Sequence, residues 1–322
     1  MKQKMLDFVP WMSKRSGCSQ RHICGQLGLV WSRYQRWRRL AAAKQSLADG
    51  HGGGNCLGAA LPWEREAVIE FALKHPTDGY RYLTWQMIDE EVVCLSESSV
   101  YRILASEGLL CRWTRPPRPM GDPPPKPNQP HQRWHTDIMH LRLADRWYFL
   151  VSFIDAYSRY IVHWELLTSM TASDITLAQL AALEKYPAAK PEIVTDHGSQ
   201  YTSKEYAALV KRFELNHVLC RIAHPQSNGI IERYHRSTRE ALQQDPAANL
   251  LQARELIEQW VTTYNENRLH AGLGYIQPHE YFQGDPASRK YQRQLKLKRA
   301  RKLRQHANKQ RLTANTQTRK VS

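Results

Sequence analysis

Cysteine is scarce and unpatterned in this chain. Its six residues, at positions 18, 24, 56, 94, 111 and 220, form no Cys-x-x-Cys pair and keep no zinc spacing with histidine. A disulfide scaffold and a structural zinc site are therefore not indicated, and the thiols read as those of a reducing compartment. No stretch approaches the ~20 apolar residues that a membrane span needs, and Met1 to Arg15 has no apolar core of signal-peptide length. The expectation is a cytoplasmic, nucleoid-associated protein with no membrane partner. Gly52-Gly53-Gly54 is not followed by Lys and Ser/Thr at the spacing of a nucleotide phosphate loop. No sustained heptad run announces a leucine zipper. Acid is the other shortage: 30 Asp and Glu stand against 46 Lys and Arg, a formal charge of +16. From Ala287 to Ser322 there is no acid at all, while thirteen Lys and Arg remain. Such an excess points to a polyanionic partner, for which nucleic acid is the default. At 322 residues and 42% apolar content, the chain is long enough for two or three domains with a sizeable core in at least one.

Against that basic background three acids stand out. Arg133 to Leu143 alternates in polarity and predicts a strand with Asp137 in its middle, where propensity disfavours a carboxylate. Asp196 follows the apolar pair Ile193-Val194 and precedes Gly198, so it reads as the end of a buried strand. Glu232 lies early in a helix opening near Ser227-Asn228. On that helix Glu232, His235, Arg236 and Arg239 fall at i, i+3, i+4 and i+7, and Ile231, Tyr234, Thr238 and Leu242 lie on the opposite, core-facing side. Three carboxylates gathered at one sheet edge need a divalent cation to offset their repulsion, and carboxylate with water suits Mg²⁺ or Mn²⁺.

The phrases around these acids are specific. They are Trp134-His135-Thr136-Asp137, Asp155-Ala156-Tyr157-Ser158-Arg159, Thr195-Asp196-His197-Gly198-Ser199-Gln200-Tyr201-Thr202-Ser203, Glu232 with Arg239 seven residues on, and Tyr264-Asn265-x-x-Arg268-x-His270-x-x-Leu273 followed by Pro278. Together they resemble the acidic-triad core of retroviral integrases and bacterial insertion-sequence transposases, and look most like the second-reading-frame product of insertion-sequence family three. The resemblance covers roughly residues 62 to 283. It implies a ribonuclease-H-like core and two Mg²⁺ (or Mn²⁺) ions, with Asp137 bridging them and Asp196 and Glu232 completing separate shells. Arg239 would grip a phosphate near the site. It also implies double-stranded DNA as partner, as transposon ends and as target, a homo-oligomer on DNA, and possibly the product of an upstream reading frame as a second partner.

Taken in order, residues 1–40 predict a helical, helix-turn-helix-like unit with Gly28 at the turn. Arg33, Arg36, Arg38 and Arg39 on its last helix are candidate DNA contacts. Residues 41–61 read as a flexible linker. Residues 62–113 predict a trihelical helix-turn-helix domain: Pro62 at a first turn, a second helix through about Val93, and a third capped by Ser96 and closed by Gly108. Ser99 and Arg102 of its third helix are further candidate contacts. Residues 114–130 hold eight prolines and form a semi-rigid spacer with a reach of roughly 50 Å. In the core, 131–283, strands are expected near 133–143, 146–154, 159–166, 191–195 and 214–219. Helices are expected near 172–186, 203–212, 227–243 and 250–267. A meander followed by alternating helices and strands makes the fold α/β, a mixed sheet covered on both faces and preceded by all-α units. Asp155 reads as a turn cap, Asp174 as a helix cap, and His197 as either a phosphate contact or a local hydrogen-bonding group. Residues 284–322 form a basic tail expected on the DNA backbone.

The function these features point to is metal-dependent DNA strand cleavage and strand transfer by a transposase with an Asp137, Asp196, Glu232 triad. His235, Arg236 and Arg239 would lie beside the bound DNA. The alternatives are a DNA-binding regulator with an inactive integrase fold, or a nuclease that cuts without joining.

Overall fold

Short-range signals set the first helices. In the computed structural model, which describes residues 2–43, 57–110, 126–143, 146–220, 229–244 and 247–321, the chain divides into two compact units. One comprises Met1–Ala59 with Gln305–Ser322, the other Ala60–Arg304. The first holds α1 (Lys2–Ser16), α2 (Gln20–Gln26) and α3 (Trp31–Ala42). Ser19 caps α2 by accepting from the His22 N–H at 3.2 Å, and Gly28 makes the turn into α3 at φ 64°, a conformation free of strain for glycine. Val9, Ile23, Cys24 and Tyr34 form the small core, and Arg33, Arg36, Arg38 and Arg39 are left exposed. Residues 44–56 of the expected linker lie outside the described residues, as do 111–113 of the expected trihelical domain and 114–125 of the proline-rich spacer.

The second unit opens with three helices, α4 (Pro62–Lys74), α5 (Tyr80–Asp89) and α6 (Glu97–Ser106). Pro62 occupies the first turn of α4, and Glu64 reaches back to accept the Leu61 N–H at 2.8 Å. α5 stops four residues short of the expected Val93, because Glu91 turns left-handed at φ 58° and the Val92 N–H returns to the Met87 carbonyl. Ser96 caps α6, and Gly108 at φ 71° closes it. Val68, Leu83, Met87, Val100 and Leu104 are the buried centre of this bundle.

The sheet follows: β1 (Arg133–Leu143), β2 (Arg146–Asp155) and β3 (Ile161–Leu167) form the antiparallel meander. α7 (Ala172–Lys185) begins at a capping box in which Thr171 Oγ1 accepts from the Asp174 N–H and Asp174 Oδ2 accepts from the Thr171 N–H. After it come β4 (Glu192–Thr195), α8 (Lys204–Arg212), β5 (Asn216–Leu219), α9 (Gly229–Gln244) and α10 (Leu250–Glu266). The strand order is β3-β2-β1-β4-β5, with β1, β4 and β5 parallel. Strand alternation sorts the core into two layers. Trp134, Val151 and Phe153 face α7 and α8, whereas Met139, Leu141, Leu150 and Ile154 face α9 and α10. This is the expected mixed sheet with helices on both faces. A short 3-10 turn (Ala271–Leu273) and α11 (Pro278–Phe282) then return the chain to the α7 layer, where Phe282 stacks on Tyr160 at 4.2 Å.

The basic run that the sequence presents as a tail is a helix, α12 (Pro286–Val321). Asp285 Oδ1 caps it by accepting from the N–H groups of Ala287 and Ser288 at 3.0 and 3.1 Å. Beyond Pro286 it contains neither Gly nor Pro and is rich in Lys, Arg, Leu and Gln, all good helix formers. Not all of its charge is free for DNA: Arg293 and Arg304 are buried. No helix among the described residues is long and apolar enough to cross a membrane.

Candidate active site

Strand register brings the first two acids together. β1 and β4 run parallel, with His135 opposite Val194 as the last pair. Asp137 lies two residues further along β1, on the face of His135 by the two-residue period, and Asp196 lies two residues past Val194, just beyond the end of β4. That face is the one α9 and α10 cover, because Met139 and Leu141 of the same strand pack there. Asp196 is held by its own turn: the Gly198 N–H donates to Asp196 Oδ1 at 3.0 Å. A Cβ on Gly198 would meet Gln200 Oε1 at 2.7 Å and Asp196 Oδ1 at 3.0 Å, so glycine lets the turn close against the carboxylate. His197 is engaged locally, its Nε2 2.7 Å from the Cys220 carbonyl.

α9 supplies the third acid. Ile231, Tyr234 and Thr238 are buried against the sheet, while Glu232, Arg236 and Arg239 are exposed. His235, which the helical spacing grouped with the exposed stripe, is instead buried at 6% exposure. Its Nδ1 lies 3.5 Å from Asp137 Oδ2. It therefore faces Asp137, one turn along α9 from Glu232. The helix is wide enough at i and i+3 for one residue to meet the strand and the other to stay in solvent, a distinction that spacing alone does not make.

The charges of the three acids act on one neighbour. Burial raises the Cys220 thiol pKa, and the charges of Asp196, Asp137 and Glu232 raise it further. Tyr201 lies fully buried beneath the two strand acids with its hydroxyl 3.4 Å from Thr136 Oγ1. Its pKa is pushed well up by burial first, with Asp137 and Asp196 adding to the rise. As potential ligands the three are hard oxygen donors, and exposure of Asp196 and Glu232 lets water share the shell, which suits Mg²⁺ or Mn²⁺. As the side chains lie, no three Asp, Glu, His or Cys groups among the described residues are close enough to hold one ion. The lead into α9, residues 221–228, lies outside the described residues.

The competing acids have structural work. Asp155 is fully buried, with Oδ1 accepting from the His131 N–H at 2.9 Å and Oδ2 from the Ser158 N–H and Oγ at 2.7 and 2.6 Å. Asp174 caps α7. Among the other candidate contacts, Arg102 is exposed with Nε donating to the Ser98 carbonyl at 3.0 Å. Ser99 is half-buried beside Ser96, its Oγ 2.9 Å from that of Ser96. Spacing did not single out Thr136, Tyr201 and Cys220 as neighbours of the acids. Their only signal is adjacency to Asp137 and to the Asp196 turn.

The class of core is defined by more than its sheet. Residues 127–225 match the family described as Integrase core domain, and residues 214–278 match a second family of the same description. Residues 127–278 are thus similar to integrase cores, and the chain is also similar to proteins of insertion sequences. It is 27% identical over 286 residues to a protein of insertion element IS476 of Xanthomonas euvesicatoria, a match covering 87% of this chain and 77% of that one. It is 28% identical over 155 residues to transposase InsF for insertion sequence IS3A of Escherichia coli K12, covering 47% of this chain and 54% of that one. The catalytic core domain of HTLV-2 integrase, solved in complex with magnesium, overlays 48% of this chain and 97% of its own. That overlay has 18% identity and a TM-score of 0.39.

Proposed function

We propose that this chain is a DNA transposase that binds the ends of its element and carries out strand cleavage and strand transfer at Asp137, Asp196 and Glu232. The observation that supports the reading is that Asp137 of β1 and Asp196, just past the end of β4, follow the last pair of two adjacent parallel strands, with α9, which bears Glu232, packed on that side of the sheet. The three carboxylates would hold Mg²⁺ or Mn²⁺, two ions in all, which when bound activate an oxygen nucleophile and stabilise the leaving oxygen. His235 orients the Asp137 carboxylate from the protein side. Arg236 and Arg239, exposed on α9, hold the phosphate backbone beside it. In the first step water attacks a phosphodiester at the element end and frees a 3′-hydroxyl. In the second that hydroxyl attacks a target phosphodiester and displaces its 3′-oxygen, so no covalent protein–DNA intermediate is needed. The helical units that carry Arg33, Arg36, Arg38, Arg39, Ser99 and Arg102 bind the ends. Because two ends must be held together, the working form is at least a dimer on DNA.

The deciding experiment is cleavage and joining of labelled duplexes bearing the element's own ends, in Mg²⁺, by the wild type and by Asp196→Asn. Joined product from the wild type and none from the variant, at unchanged DNA affinity, is the expected result. Cleavage without joining would make the protein a nuclease, and wild-type turnover in Asp196→Asn would remove that residue from the triad.

A further inference from the structure

Two sequence motifs bring cations to which the strand-transfer reading gives no task. Arg159 ends Asp155-Ala156-Tyr157-Ser158-Arg159, and Arg268 and His270 belong to the motif that follows α10. In the fold they meet. Arg159, Arg268 and His270 line one cavity of about 360 Å³ together with Arg233, the neighbour of Glu232 on α9.

The cavity is charged on one side of the ledger only. None of the three guanidinium groups is in an ion pair among the described residues, although six other arginines are. Arg159 Nη1 and His270 Nε2 are buried without a hydrogen-bond partner among the described residues. The carboxylate whose charge acts on Arg159, after the Tyr264 hydroxyl, is Asp155, whose oxygens are already taken by His131 and Ser158. Asp78 acts on Arg268 without lining the cavity. Burial, reinforced by Arg268, Arg159 and Arg233, pushes the His270 pKa down to about 3, so the ring stays neutral and its charge is not added to theirs. Arg159 also adopts a left-handed backbone at φ 64°, a strained state for a non-glycine residue of the kind that collects at functional sites.

Like charges collected around a partly buried space destabilise one another unless an anion joins them. Guanidinium is the group whose fork matches phosphate oxygens, and its hydrogen bonds to phosphate strengthen away from water. We propose that Arg159, Arg233 and Arg268 together grip one phosphodiester of the DNA backbone in this cavity, on the side of α9 that adjoins Glu232. The proposal rests on the reading of the chain as a DNA-processing protein. It adds a single fixed phosphate position on the flank of α9 that bears Ile230, Arg233 and Ser237.

The test is binding of the full chain to a random-sequence duplex across a salt series. Each phosphate neutralised contributes about −0.9 to the slope of log affinity against log salt. Because the grip requires all three cations on one phosphate, loss of any one releases it, so Arg233→Gln, Arg268→Gln and the double variant should each flatten the slope by the same amount, about 0.9. Arg268→Lys should keep the slope. A second measurement needs no variant: in duplexes carrying one neutral methylphosphonate at a time, one position should flatten the wild-type slope and have no further effect on Arg268→Gln. Additive losses in the double variant, or no loss in either single variant, would overturn the shared site. Thermal stabilisation of the free chain by inorganic phosphate that Arg268→Gln abolishes, with the DNA slope unchanged, would overturn the DNA assignment in favour of a free anion. A wild type that binds no duplex DNA fails the proposed function itself. Strand transfer with an unaltered slope in Arg268→Gln fails the cavity alone.

Discussion

Arg293 of α12 grips Asp89 of α5 across 204 residues of chain, with Nε 2.8 Å from Oδ1 and Nη2 2.5 Å from Oδ2. The same guanidinium donates to the Tyr275 carbonyl at 2.6 Å and lies 5.0 Å from the Trp85 ring centroid. Eleven residues on, Arg304 Nη1 is 2.8 Å from both Glu64 Oε1 and the Cys94 carbonyl, and Lys296 pairs with Glu91 at 2.9 Å. The inward face of α12 is thus committed to α4 and α5.

Breaking one partner of such a pair leaves the other buried and uncompensated, at a cost of roughly 3–5 kcal/mol. Arg293 is 3% exposed, so Arg293→Met should lower the unfolding free energy of the full chain, read by urea titration, by an amount in that range. The double variant Arg293→Met/Asp89→Leu should recover a large part of the loss, because no lone charge remains. A single-variant loss below 1 kcal/mol would mean that water replaces the partner.

Asp155 and Asp196 should separate cleanly. Asp155→Ala strands the His131 and Ser158 N–H groups and the Ser158 hydroxyl, at roughly 1–3 kcal/mol for each buried group left unsatisfied. Its melting temperature should fall while turnover per folded molecule persists. Asp196→Asn should do the reverse, because its carboxylate is exposed and its one described protein bond is to the Gly198 N–H. Calorimetry beside a strand-transfer assay checks both, and a collapse of Asp196→Asn on calorimetry would give that residue a structural role.

Most of the sheet and both strand acids were legible because their signals are local. Alternation set β1, the Ile193-Val194 run set β4, and Thr171, Ser203 and Asn249 cap their helices where side chains of that type are expected to. What escaped depends on distant partners. The periodicity of α9 placed His235 with Arg236 and Arg239, but only the approach of β1 turns it toward Asp137. The acid-free run after Ala287 read as a tail because its counter-charges, Glu64, Asp89 and Glu91, lie some 200 residues earlier. The cavity among Arg159, Arg233 and Arg268 was invisible for the same reason, since three separate motifs contribute one cation each.

Gly198→Ala should impair catalysis more than folding. The backbone there is not in a left-handed state, so alanine fits the turn itself. Its Cβ would press on Gln200 Oε1 and Asp196 Oδ1 at 2.7 and 3.0 Å, displacing the carboxylate. A tenfold or greater loss of strand transfer, with a stability change within about 1 kcal/mol, is expected from single-turnover kinetics beside denaturant titration. Full activity would show that the Asp196 position tolerates the shift.

His270 predicts an acid-labile core. Its pKa falls from 6.5 to about 3 in the folded chain, by burial first and then by Arg268, Arg159 and Arg233. Above pH 6.5 the ring is neutral folded or unfolded and contributes no pH dependence. Between 6.5 and about 3 the unfolded chain takes up a proton that the folded chain refuses, so stability falls with acid. The limiting slope is about 1.4 kcal/mol per pH unit. Arg268→Gln should shrink this component by removing the first-named cation, and His270→Gln should abolish it. Denaturation midpoints that show the same pH dependence in His270→Gln as in the wild type would refute it.

The outward face of α12 should still meet DNA. Lys298, Arg299, Arg301 and Lys302 are exposed, and none is in an ion pair among the described residues, whereas Arg293 and Arg304 of the inward face are. Lys298 and Lys302 lie one turn apart on the same side, so both can reach one stretch of backbone. Replacing these two by Gln should flatten the salt slope of duplex binding by about 1.8, twice the single-contact value of about 0.9. The loss should be equal on element ends and random duplex, because phosphate contacts carry no direct sequence information. Stability should hold within about 0.5 kcal/mol, as for surface changes that break no partner, which separates this face from Arg293. Strand transfer at saturating DNA should persist, since Asp137, Asp196 and Glu232 are untouched. An unchanged slope would show that these lysines are only solvated, and a loss confined to element ends would show that α12 reads sequence or shape.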